Sequence, residues 1–121
     1  MDLSLAVLVA ATVTSGILAG AFLLYAHTVM PALREADDTE FVTTFARLDR
    51  AIVNPVFMAT GFAGAPVLTG VAALLVDDGR AWVLAALGLH VVMVLITGAV
   101  NVPRNDALKA AVAEVAAPSG A

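Results

Sequence analysis

Acidic and basic residues divide this chain into three long uncharged runs and one polar interlude. Leu3 to Leu33, Ala51 to Val76 and Ala81 to Pro103 contain no Asp, Glu, Lys or Arg, and each exceeds the roughly 20 residues that cross a hydrocarbon core of ~30 Å. The pattern predicts spanning helices over about 3–26, 55–76 and 81–102. Between the first two runs, the apolar positions Phe41, Phe45, Leu48 and Ile52 step by four, three and four. That spacing is one face of a helix, expected over about 39–52 with Asp37 or Asp38 as its cap and Glu40 in its first turn. The expected fold is an all-α membrane helical bundle in one domain, residues 1–121, with three transmembrane helices. A short cytoplasmic amphipathic helix lies between helices one and two, and a flexible tail is expected over about 112–121. Asp49 and Arg47 read either as charges facing a substrate or as part of a solvated helix face.

Breakers refine these boundaries. Pro55 lacks an N–H and disfavours helical geometry at Asn54, so Asn54 as cap with Pro55 in the first turn satisfies both constraints. The alternative is one long helix kinked at Pro55, with Asn54 turned inward as a polar ligand. Pro31 marks a helix end or kink, and Pro66 a kink inside the second span. Asp77-Asp78-Gly79-Arg80 is a short turn that folds spans two and three into an antiparallel hairpin. Gly16 and Gly20, like Gly61 and Gly64, put small residues on helix faces where another backbone can approach closely. Tyr25 and Trp82 suit opposite membrane interfaces.

Composition agrees with this reading. Hydrophobic residues make up 61% of the chain, charged residues 13%, and mean hydropathy is +0.97, beyond the range of soluble domains. The acidic start Met1-Asp2 and the length of the first run separate it from a cleaved secretory signal, so it is expected to remain as a membrane helix. Arg34, Arg47, Arg50, Arg104 and Lys109 fall on one side of the predicted spans and only Arg80 on the other. This asymmetry predicts a multi-pass protein of the cell membrane with the N-terminus outside and the C-terminus cytoplasmic. There is no basic run for nucleic acid, and the absence of cysteine excludes thiolate chemistry.

The predicted topology gathers polar residues at one depth: His27, Asn54, Asn101, Arg104 and Asn105. On the third span His90, Thr97 and Asn101 share a face, with His90 about 16 Å deeper than Asn101. An ionisable residue near mid-membrane is a functional candidate by default; a neutral histidine bonded to a backbone carbonyl is the structural alternative. Two histidines at different depths and no acidic residue within a span provide no metal site.

The sequences Val29-Met30-Pro31-Ala32-Leu33-Arg34, Asp49-Arg50-Ala51-Ile52-Val53-Asn54-Pro55-Val56-Phe57 and Asn101-Val102-Pro103-Arg104-Asn105-Asp106-Ala107-Leu108 together resemble the anthrone oxygenase-like family of small integral membrane proteins. The resemblance implies cofactor-free oxidation of a lipophilic anthrone-type aromatic by O₂. Such chemistry needs a base, for which His27 and His90 are the candidates, and donors for the resulting oxyanion. Asn54, Asn101 and Asn105 are the candidate substrate-binding donors, with Arg104 adding charge at the mouth. The same residues also read as helix caps and interhelical hydrogen bonds. Arg104 stands where the family usually has leucine, and the family typically continues into a fourth helix, expected here to be missing or supplied by a partner. The alternative function is a non-catalytic membrane subunit or scaffold. Expected partners are membrane lipid, a lipophilic aromatic, and a second copy or another membrane protein, because three helices bury small-residue faces less readily than four.

Overall fold

The computed structural model of the chain describes residues 1–116. These form four helical rods, with no strand among the described residues: α1 (Leu3–Leu33), α2 (Asp38–Ile52), α3 (Pro55–Leu75) and α4 (Arg80–Glu114). Of these, α1, α3 and α4 are long and apolar enough to cross a membrane.

Each junction has a local chemical cause. Asp2 Oδ1 accepts from the Leu5 N–H at 2.8 Å and starts α1, and Asp37 Oδ1 accepts from the Glu40 N–H at 2.8 Å and starts α2. At the α2–α3 corner, Val53 has φ −81° and ψ 72° and Asn54 N–H donates to Ile52 O at 2.9 Å, an inverse γ-turn. Asn54 then spans the corner. Its Oδ1 accepts from the Phe57 N–H at 2.9 Å, and its Nδ2 donates to Ala51 O at 2.9 Å. The corner therefore has the capped geometry rather than a continuous kinked helix. Gly79 turns the α3–α4 hairpin at φ 75°, a backbone conformation in which a side chain is strained.

All three long rods contain one widened, π-helical turn: Tyr25–Val29 in α1, Met58–Phe62 in α3 and Thr97–Asn101 in α4. Each is followed within four residues by proline, at Pro31, Pro66 and Pro103. Proline cannot donate to the preceding turn and its ring crowds the carbonyl four residues back; an extra residue in that turn lets the rod continue. For this reason α1 and α4 run past the ends expected from Pro31 and Pro103. Helix continues through Ala116, so the expected tail is helical over 112–116, in an alanine-rich stretch of high helix propensity. The rest of that tail, 117–121, lies outside the described residues.

Small side chains make most of the core, with Leu18 the one large aliphatic residue buried among the described residues. α3 lies between α1 and α4 and buries Ala65, Thr69, Ala72 and Ala73, positions that repeat on one helix face. Thr69 is satisfied by donating to Ala65 O at 2.7 Å. The large apolar side chains point outward instead, as at Val67, Leu74, Leu89 and Leu95. Gly61 meets Phe57 and Leu18 within the chain, whereas a Cβ at Gly16 or Gly20 would meet nothing within 4 Å. α2 packs across the C-terminal part of α4.

Candidate functional site

A cleft of ≈ 480 Å³ opens where the three π-helical turns and α2 come together. The first residue of each widened turn, Tyr25, Met58 and Thr97, lines it, and so do Met30, Phe62 and Val102 just after or at the ends of those turns. In each turn that first residue also accepts the long backbone bond: Met30 N–H to Tyr25 O, Ala63 N–H to Met58 O and Val102 N–H to Thr97 O. The bulges thus aim side chains from three rods into one space. π-Bulges occur frequently at functional sites.

Aromatic and aliphatic side chains together make most of the wall. Phe22, Tyr25, Phe45, Phe57 and Phe62 all face the cleft, five of the seven aromatics in the chain. Phe45 is stacked on Phe41 with ring centroids 6.2 Å apart. The apolar face of α2 supplies Phe45, Leu48 and Ile52. Polar groups are few: Tyr25, Asp49, Thr97, Asn101 and Asn105.

Asp49 carries the charge in this cleft. Its Oδ1 accepts from Asn105 Nδ2 at 2.8 Å, and its Oδ2 pairs with Lys109 Nζ at 2.8 Å, which also reaches Asp106 Oδ1 at 3.2 Å. The Asp49 side chain is only 16% exposed, so its carboxylate is held by α4 rather than by water. The side chains of Tyr25, Thr97 and Asn101 make no hydrogen bond with another described residue. An apolar cleft with a few unspent polar groups is the usual form of a small-molecule site.

The residues singled out from the sequence separate here. Asn101 and Asn105 line the cleft. Asn54 does not line it, and both ends of its amide are committed to the backbone of the corner. Arg104 and His27 are exposed and do not line it. His90 is half-buried and also outside the wall, with Nε2 3.1 Å from Ser15 Oγ. Asp49, which the sequence left either as a substrate-facing charge or as part of a solvated helix face, lines the cleft, and so does Tyr25, expected at a membrane interface. A signal for Asp49 was present: it follows Phe45 by four residues, which places it beside the apolar face of α2.

A family model described as anthrone oxygenase matches residues 41–121, about two thirds of the chain and all of the cleft except the part contributed by α1. The chain belongs to the anthrone oxygenase family. The match includes Asp49, Asn101, Asn105 and Lys109, so the polar end of the cleft lies within the stretch shared with the family, while Tyr25 and Phe22 precede it. No curated protein and no solved structure matches the chain.

Proposed function

We propose that the protein lies in the cell membrane with its N-terminus outside and α2 on the cytoplasmic surface, and that its cleft oxidises a flat lipophilic aromatic ketone with O₂. The family match supports this chemistry. The observation that carries it is the meeting of five aromatic side chains with one α4-held carboxylate, Asp49, in a single cleft. The five-to-one Lys/Arg distribution supports the orientation.

In this reading Asp49, rather than His27 or His90, accepts a proton from the methylene carbon of an anthrone. The electron pair left behind moves into the ring system and onto the ketone oxygen. Asn101, Thr97 and Tyr25 donate hydrogen bonds to that oxygen in a medium of low dielectric. The electron-rich carbon reduces O₂ and binds it as a peroxide anion, which takes back the proton held by Asp49 to become a hydroperoxide. Loss of water, with the second hydrogen of the same carbon, leaves a carbonyl. The balance is one anthrone and one O₂ to one anthraquinone and one water.

The test is O₂ consumption and anthraquinone formation by the purified protein in detergent. Asp49→Asn is expected to lower turnover about 10²–10⁴-fold, the usual contribution of a positioned acid or base. Lys109→Met breaks the same ion pair without removing the carboxylate and is expected to retain most turnover. Equal loss in both variants makes Asp49 a structural tie. A wild-type protein that neither binds nor oxidises the anthrone supports the scaffold reading instead.

A further inference from the structure

Asp49 reaches the cleft with both carboxylate oxygens already engaged, and its two partners stand on one helix. Asn101, Asn105 and Lys109 follow one another at intervals of four along α4, so they share a face, each about 6 Å further along the rod than the last. The first two line the cleft and Lys109 does not. The carboxylate is therefore bracketed along α4. Asn105 Nδ2 donates to Oδ1 at 2.8 Å from the cleft side, and Lys109 Nζ holds Oδ2 at 2.8 Å from the outer side, where it also reaches Asp106. A carboxylate only accepts, which sets the orientation of the Asn105 amide, and each of its oxygens offers two lone pairs. One lone pair of Oδ1 is taken by Asn105, and Oδ1 has no further hydrogen-bond partner among the described residues. The other faces the cleft, whereas Oδ2 is turned to the ion pair.

We propose that Asn105 is a positioning residue for the proton transfer: its amide fixes the Asp49 carboxylate so that Oδ1, not Oδ2, meets the methylene hydrogen of the aromatic ketone. The proposal rests on Asp49 being the base of the cleft. A hydrogen bond to an ionised acceptor is strong and directional, which suits it to holding a base in place. The proton returned to the peroxide leaves from the same oxygen, so one fixed position serves both transfers. The bond also turns the Asn105 amide nitrogen toward the carboxylate, and the ketone oxygen is left to Tyr25, Thr97 and Asn101.

The experiment isolates proton transfer from the oxygen steps. Without O₂, the full chain in detergent is mixed with anthrone in D₂O, and exchange of the methylene hydrogens is followed by NMR beside anthrone affinity. Asn105→Leu, close in shape, is expected to slow exchange about 10²-fold, the scale of a ~1 Å misplacement of a reacting group, with affinity unchanged. Asn105→Gln keeps the amide donor on a longer arm and is expected to recover part of that loss; a rate no higher than that of Asn105→Leu overturns the role of the amide. In an Asp49→Asn background, Asn105→Leu is expected to add no further loss to the residual exchange, since it acts through the carboxylate. A further loss there makes Asn105 a direct partner of the substrate and overturns the proposal. Affinity and exchange falling together mark a structural tie and overturn it as well. Unchanged exchange in Asn105→Leu overturns it while leaving Asp49 as the base. A wild-type protein that does not accelerate exchange overturns the base reading itself, a result distinct from all of these.

Discussion

Asn54 shows how a residue's role depends on which of its atoms are already committed. Its carbonyl oxygen caps the first turn of α3 and its amide nitrogen serves the last turn of α2, so one side chain satisfies two helix ends across an inverse γ-turn. Asn54→Ala is expected to lower stability by about 0.5–2 kcal/mol, the usual effect of losing a cap. Aromatic binding by the surviving fold is expected to be retained, since the amide is not part of the cleft wall. Thermal unfolding in detergent beside ligand binding tests both halves; selective loss of binding would return Asn54 to the site. Asn101 is the opposite case. It sits two residues before a proline, as a cap would, yet lines the cleft without a side-chain hydrogen bond among the described residues.

Among the rods, the shared device is a widened turn ahead of a proline. In α3 it has a steric consequence: a Cβ at Gly64 would collide with the backbone oxygen of Ala59, the residue five positions earlier. Gly64 is therefore needed by the widened turn, whereas Gly16 has open space around it. Gly64→Ala is expected to destabilise by at least about 1–3 kcal/mol, the range for overpacking that moves backbone, and to disturb the Met58 and Phe62 sides of the cleft. Gly16→Ala is expected to be neutral or slightly stabilising through helix propensity. Melting temperatures of the two variants decide it; equal shifts would remove the special role of the α3 bulge.

At the scale of the whole molecule, the placement of apolar surface matches a hydrocarbon solvent. Small residues pack the interior and large aliphatic ones face out, because close approach of backbones, not exclusion of water, is what favours helix association in lipid. The packing of α2 against α4 brings the Arg34–Arg50 segment to the same end as Arg104 and Lys109. Thr39→Cys, at an exposed site on the first turn of α2, is expected to resist an impermeant thiol reagent applied outside intact cells and to react after permeabilisation. Labelling from outside would reverse the proposed orientation.

The sequence by itself determined the rods that are long and apolar enough to span a membrane, the cap at Asn54 and the turn at Gly79. These depend on run length, charge and neighbours a few residues apart. It also carried the family, through motifs on α1, α2, α3 and α4. The membership of the cleft was decided by tertiary structure. Ser15 meets His90 across 75 positions and Asp49 meets Asn105 across 56, and no local pattern specifies either pair. The widened turns add a further reason. Each inserts a residue into a 3.6-residue period and rotates the helix beyond it by about 100°, so an unbroken helical wheel misplaces side chains past the bulge. His27 and Arg104, gathered by depth in the sequence, do not line the cleft, while Tyr25, at the start of a widened turn, and Asp49, on the unbroken α2, do.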